Sequence, residues 1–137
     1  KRGAMIGMAR QRGSAAVAEA MMPGMVGKST RDKNPDVAEA VHRMLAAAPV
    51  DGVVGALQAM LERPDSTDTL ATIDVPALIV VGEEDALTPV QESRAMHRTI
   101  TGSRLEVIAG AGHVSNMERP AAFNHVVSEF VSALTLA

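Results

Sequence analysis

The stretch that decides the fold is residues 75–89, which read V-P-A-L-I-V-V-G-E-E-D-A-L-T-P. Every residue of its core, 77–81, is apolar, which predicts a strand covered on both faces, as in a parallel sheet. A second stretch, residues 103–113, reads S-R-L-E-V-I-A-G-A-G-H and predicts another strand over 105–109. The segment between them has a helical pattern. We therefore expect two parallel neighbouring strands joined by a right-handed crossover.

Asp85 and His113 each follow the carboxyl end of a predicted strand. Adjacent strands lie about 4.8 Å apart, and parallel neighbours release their loops at the same sheet edge, so these two side chains can meet. Ligands of open α/β sheets bind at that edge. An acid beside a histidine there indicates the orienting and proton-transfer members of a nucleophilic triad. The alternatives are an ordinary turn role for Asp85, and Glu83 or Glu84 as the acid.

Two motifs, in this order, resemble the C-terminal half of an α/β-hydrolase. They are G-E-E-D-A-L-T-P at 82–89 and G-A-G-H-V-S-N-M-E-R-P at 110–120, and the family places its acid before its histidine. The resemblance covers about 73–134 well and includes enol-lactonase-like and carboxylesterase-like members. It implies an α/β fold, with parallel strands and flanking helices preceded by a helical cap. It also implies Asp85 and His113 in a Ser-His-Asp triad for ester or lactone hydrolysis without a cofactor. Relatives with an aspartate nucleophile, such as epoxide and haloalkane hydrolases, share this half in outline.

The sequence departs from the family by having no G-x-S-x-G and no H-G-G-type oxyanion loop. The family carries both in its N-terminal half, so the resemblance implies that the nucleophile lies outside this sequence. Ser115, two residues after His113, is the candidate nucleophile within the chain, but we expect it to cap the approach to the last helix. Ser14 lacks the elbow pattern. We therefore expect an inactive isolated chain, whose partner is an N-terminal hydrolase half or a second copy in a dimer. The alternative is a non-catalytic binding or assembly module with a hydrolase-derived fold.

The domain organisation follows from a change in composition at a polar connector, residues 64–72. We predict a helical cap over 1–64 and a C-terminal α/β portion over 65–137. Helical spacing of apolar residues predicts three cap helices, at about 3–22, 35–48 and 49–63, with a loop over 23–33.

Helix starts are indicated by capping residues. Asn34 followed by Pro35 predicts an N-cap with proline at the first helical position. Thr88 followed by Pro89 predicts the same, as part of a capping box, for the helix between the strands. Pro120 opens a final helix whose apolar stripe should cover the sheet.

Composition narrows the classes of partner. The 137 residues fit one domain, 47% are hydrophobic and the net charge is −3. Without a basic run and with only two aromatic residues, the chain is not expected to bind nucleic acid or an anionic membrane. With no cysteine and no metal-ligand spacing of histidines, we expect no metal site. No signal peptide or membrane-spanning run is visible, so we expect a cytoplasmic protein. The resemblance to the hydrolases implies a small apolar ester or lactone as its substrate. The remaining histidines lie mid-helix, where solvated or packed roles are expected: His42, His97 and His125.

Overall fold

The computed structural model describes residues 2–135. Seven α-helices, one 3₁₀ helix and two strands occur within this range. In chain order they are α1 (Arg2–Met25), α2 (Lys28–Lys33), α3 (Pro35–Ala46), α4 (Val50–Glu62), the 3₁₀ helix (Thr67–Thr72), β1 (Leu78–Gly82), α5 (Val90–Thr99), β2 (Arg104–Ile108), α6 (Ser115–Glu118) and α7 (Pro120–Thr135).

The predicted α/β unit is present. Strands β1 and β2 pair in parallel, with Leu78 opposite Arg104 at one end and Gly82 opposite Ile108 at the other. Helix α5 connects them and contacts both strands. Helix α7 covers one face, where Val126 joins Ile108 in a buried apolar cluster. Both loops after the strands therefore leave the same edge of the sheet.

The expectation that β1 is covered on both faces is met only in part within the described residues. Leu78, Ile79 and Val80 are only half-buried, whereas Val81 is buried. The reason is that the described part of the chain forms a two-stranded sheet, in which β1 has a single hydrogen-bonded neighbour. An apolar strand of this kind belongs inside a wider sheet.

The N-terminal helices pack on one another around α1, which contacts both α3 and α4. Their core contains Ala9, Val17 and Val54. Helix α1 bends at Gly13, whose backbone angles, φ 80° and ψ 175°, are not helical. This left-handed φ is readily available only to glycine.

The predicted loop over 23–33 is wrong. Helix α1 continues through Pro23, and α2 follows at Lys28–Lys33. The N–H groups of Gly27 and Ser29, at the start of α2, donate to the carboxylates of Glu118 and Glu84. A pattern of neighbouring residues cannot reveal a helix start that is satisfied by partners 91 and 55 positions away.

Of the two predicted caps, one is in place and the other is wrong. Pro35 opens α3 and Asn34 is its N-cap, although the Asn34 side chain makes no capping bond. Helix α5 begins one residue later than predicted, at Val90, and its N-cap is Pro89. The Thr88 hydroxyl donates instead to Asp85 Oδ2 at 2.7 Å, so it does not cap the helix.

Three glycines bring three stretches of backbone into direct contact. A Cβ on Gly82 would lie 2.1 Å from the Gly112 carbonyl oxygen, and a Cβ on Gly112 would lie 2.3 Å from Gly27 N. A Cβ on Gly27 would in turn lie 2.9 Å from Gly112 N. The loop after β1, the loop after β2 and the start of α2 are therefore stacked with no room for side chains between them.

Within residues 2–135, no single helix is long and apolar enough to cross a membrane. Helices α3 and α4 together meet the length and composition criterion, but they are bent by 94° at the break between them.

The contact between Gly82 and Gly112 predicts opposite effects for two glycine-to-alanine substitutions. Gly82→Ala should lower the free energy of unfolding by at least about 1–3 kcal/mol, because its methyl group would overlap fixed backbone atoms. Gly55→Ala is the control. It adds a methyl group in α4 with nothing within 4 Å, so it should raise the free energy of unfolding by about 0.5–1 kcal/mol. Urea denaturation of both variants measures this, and equal effects would show that the contact is looser than described.

Candidate active site

Asp85 and His113 meet as the sequence predicts. Asp85 Oδ2 lies 2.9 Å from His113 Nδ1. The Asp85 side chain is 4% exposed and that of His113 is 36% exposed. Because an ionised carboxylate can only accept a hydrogen bond, Nδ1 is the donor. In the neutral ring, Nε2 is then left as the acceptor that can take a proton.

The two oxygens of Asp85 have different partners. Oδ1 accepts the backbone N–H groups of Leu87 and Thr88, each at 2.9 Å. Oδ2 accepts the Thr88 hydroxyl and faces His113. In the sequence analysis, a role in the turn and a role as partner of the histidine are alternatives for Asp85. In the structure, this one side chain makes both sets of contacts.

These contacts decide the charge of Asp85. Burial, the largest single influence, would raise the pKa of this carboxyl group. The hydrogen bonds from Thr88, His113 and Leu87 together outweigh burial and hold the pKa below its ordinary value. Asp85 is therefore ionised at neutral pH and can balance a positive charge on the ring.

The other two acids of the β1 loop have different partners. Glu83 Oε2 accepts the N–H of Gly110 at 3.0 Å. Glu84 accepts the N–H of Ser29 at 2.7 Å and also the Ser29 hydroxyl. These bonds, led by that from the hydroxyl, lower the pKa of Glu84. Of the three neighbouring acids, Asp85 is the one in contact with His113.

Backbone bonds hold the two loops in register. The N–H of Glu83 donates to the carbonyl of Ile108 at 3.0 Å, and the N–H of Glu84 donates to that of Ala111 at 2.8 Å. These bonds extend the pairing of the strands into the loops, so Asp85 and His113 are carried on one continuous backbone framework.

The two serines considered as nucleophiles are both buried. Ser115 is 7% exposed and is the first residue of α6, not the expected cap, because Val114 occupies the N-cap position. Ser14 is 6% exposed, and its Oγ has no hydrogen-bond partner among the described residues. Neither serine lies on an exposed strand-to-helix turn, which is the setting of the family's nucleophile.

The other histidines lie away from Asp85. His42 is half-buried in α3. His97 Nδ1 lies 2.8 Å from Ser103 Oγ, and His125 Nε2 lies 3.5 Å from Glu129 Oε1. Among residues 2–135 no group of three or more His, Cys, Asp or Glu side chains is arranged to hold a metal ion.

Sequence reasoning assigned no role to Glu118 and missed the bond from Thr88 to Asp85. Glu118 is 2% exposed. Its Oε1 accepts the N–H of Gly112 and its Oε2 accepts the N–H of Gly27, both at 2.8 Å. The spacing of Asp85 and Thr88, three residues apart, is a recognisable turn signature that could have indicated their bond. Glu118 carries no comparable local signal.

The sequence matches the family model described as "Alpha/beta hydrolase family" over residues 3–126. The chain belongs to the alpha/beta hydrolase family. It is 34% identical to 3-oxoadipate enol-lactonase 1 of Acinetobacter baylyi over 102 residues, which are 74% of this chain and 38% of that protein. It is 36% identical to pimeloyl-[acyl-carrier protein] methyl ester esterase of Neisseria meningitidis over 103 residues, which are 73% of this chain and 33% of that protein.

Solved structures agree with this assignment. A thermophilic esterase from Thermogutta terrifontis matches 96% of this chain with a TM-score of 0.92 and 38% identity, and the match covers 48% of the esterase. An enol-lactonase from Burkholderia xenovorans matches 93% with a TM-score of 0.84 and 26% identity, over 48% of its length. The chain therefore spans between a third and a half of these relatives.

The lowered pKa of Asp85 predicts how pH changes its contribution to stability. That contribution is fully present above the ordinary aspartate pKa of about 3.9 and is lost as pH falls through the lower folded-state value. Asp85→Asn should therefore lower the free energy of unfolding most at neutral pH, and the difference from wild type should shrink below about pH 4. Denaturation at several pH values measures this.

Asp74→Asn is the control for that series, because Asp74 is exposed between the 3₁₀ helix and β1. We expect it to change the free energy of unfolding by less than about 0.5 kcal/mol at any pH. A difference between wild type and Asp85→Asn that stays constant down to the acid limit would contradict the lowered pKa.

Proposed function

We propose that this chain supplies the acid and the base of a Ser-His-Asp triad that hydrolyses carboxylic esters or lactones. The observation that carries the proposal is the 2.9 Å contact between the buried Asp85 carboxylate and the partly exposed His113 ring. It leaves Nε2 as the ring's proton acceptor. The relatives named above, enol-lactonases and esterases, support the substrate class.

In this proposal the serine comes from residues outside the sequence described here. Its hydroxyl attacks the carbonyl carbon while His113 Nε2 takes the hydroxyl proton. Asp85 keeps the hydrogen on Nδ1 and stabilises the imidazolium that forms. His113 then returns the proton to the leaving oxygen, which releases the alcohol of an ester or opens the ring of a lactone and leaves an acyl-enzyme. The ring next takes a proton from water as the water oxygen attacks the acyl carbon. It returns that proton to the serine oxygen as the acyl–serine bond breaks, which frees the carboxylic acid.

The surface of the chain supports a partner that completes the sheet. The accessible area is 8557 Å² for a mass of 14.3 kDa, whereas a compact monomer of that mass exposes about 6,800 Å². Half-buried apolar residues on β1 contribute to this excess. An N-terminal hydrolase half that adds strands beside β1 is the partner we propose, and a second copy of the chain is the alternative.

A chimera tests the proposal. The part of the Thermogutta terrifontis esterase that this chain does not match would be fused to this chain, and hydrolysis of p-nitrophenyl butyrate would be measured. We expect turnover by the chimera and background hydrolysis by the unfused chain. In the chimera, Asp85→Asn should lower kcat about 10⁴-fold and His113→Ala at least as much, because each removes a triad member.

His125→Ala is the matched control, since His125 is an exposed histidine on α7 paired with Glu129. It should leave kcat unchanged. A folded chimera without activity would overturn the proposal and favour a binding or assembly module. A chimera that keeps its activity in His113→Ala would overturn the proposal by showing that His113 is not the base. If the unfused chain hydrolyses the ester efficiently, Ser115→Ala is the variant that identifies an internal nucleophile.

A further inference from the structure

Residues 26–30, here called the cap root, lie against both loops that carry Asp85 and His113. Val26, Gly27 and Thr30 are buried. Ser29 donates to Glu84 of the β1 loop, and Gly27 donates to Glu118, which follows the β2 loop. The cap root is thus bound by carboxylates from two separate parts of the α/β portion.

Among the described residues, Glu118 is the only one of these carboxylates that accepts hydrogen bonds from both the cap root and the β2 loop, which carries His113. Its Oε1 accepts the N–H of Gly112, the residue directly before His113, and its Oε2 accepts the N–H of Gly27. Both bonds are 2.8 Å long and buried. One side chain therefore joins the backbone that carries the imidazole to the backbone that begins α2.

The contact between these two backbones leaves little room for either of them to move. A Cβ on Gly112 would lie 2.3 Å from Gly27 N and 2.8 Å from the Val26 carbonyl carbon. The two N–H groups are therefore enclosed by protein, and each needs an acceptor, because a buried unpaired N–H is costly. Glu118 provides both acceptors, and within residues 2–135 no backbone carbonyl accepts either N–H.

We propose that Glu118 is a positioning residue for His113. Its two hydrogen bonds are to backbone N–H groups and not to the ring. It fixes the backbone of Gly112 against the cap root, and thereby sets where the His113 Cα lies relative to Asp85. A displacement of about 1 Å in an acid–base group can cost about 100-fold in rate. The effect on turnover rests on the function proposed above, whereas the effect on the geometry of His113 does not.

The first test is NMR spectroscopy on the ¹⁵N-labelled chain. In wild type, the amide protons of Gly27 and Gly112 should exchange slowly, and the Nδ1–H of His113 should give a distinct signal. Glu118→Gln puts an NH₂ group against one of the two N–H donors. We expect both glycine amides to exchange about ten-fold faster or more, and the His113 Nδ1–H signal to shift or broaden.

Glu83→Gln is the matched control. Glu83 also accepts an N–H from the histidine loop, that of Gly110, but its side chain is exposed, so water can replace the lost bond. It should leave the His113 signal and the Gly27 and Gly112 exchange rates unchanged. If Glu118→Gln does not fold, Glu118→Asp keeps the carboxylate but is one methylene too short to reach both glycines, and the same shifts are expected in weaker form.

The second test uses the active chimera. Glu118→Gln should lower kcat about 10- to 100-fold with a much smaller change in KM, while Glu83→Gln should change neither. Lower thermal stability with an unchanged His113 signal and unchanged kcat would show that Glu118 is only structural and would overturn the proposal. A chimera that is inactive even with Glu118 intact would refute the proposed function, and the NMR comparison would still decide the role of Glu118.

Discussion

Backbone packs directly on backbone at Gly82, Gly112 and Gly27, and this contact holds together the parts of the chain that carry Asp85 and His113. It brings the β1 loop, the β2 loop and the cap root to van der Waals distance, with no side chain between them. Backbone N–H groups enclosed in this way must find acceptors inside the protein. Glu118 supplies two of these acceptors and the carbonyl of Ala111 supplies a third. The close packing and the buried carboxylate are thus parts of one arrangement.

The same need for hydrogen-bond acceptors explains the contacts of the Asp85 carboxylate. A carboxylate can accept about four hydrogen bonds, and both oxygens of Asp85 have partners. One oxygen closes the turn through Leu87 and Thr88, and the other receives the Thr88 hydroxyl and the His113 ring. Because the turn fixes the carboxylate, the ring meets an acceptor that is already oriented. The turn that orients Asp85 therefore also prepares it to bind His113.

The parts that could be predicted from the sequence are those encoded by neighbouring residues. The apolar run at 77–81, the strand before His113 and the rule for parallel neighbours were enough to place Asp85 beside the ring. The start of α2, the helix cap after Thr88 and the role of Glu118 could not be obtained in this way. Each depends on where a polar side chain finds its partner, and for α2 the partners lie 55 and 91 positions away. The exposed edge of β1 follows from the two-stranded sheet of the described residues, and an apolar run does not encode the number of its neighbouring strands.

Two buried acids act on His113 from different sides, and their tasks are separate. Asp85 binds the ring and sets its tautomer, whereas Glu118 binds the backbone N–H of the preceding residue and sets the position of the His113 Cα. Proton transfer requires both orientation and position to be correct at once. Both are determined by contacts within this chain. In the proposed enzyme, the partner that carries the serine must place the serine oxygen near Nε2 and supply the donors of the oxyanion hole. The orientation and the position of His113 are therefore determined together by the β1 loop, the β2 loop and the cap root.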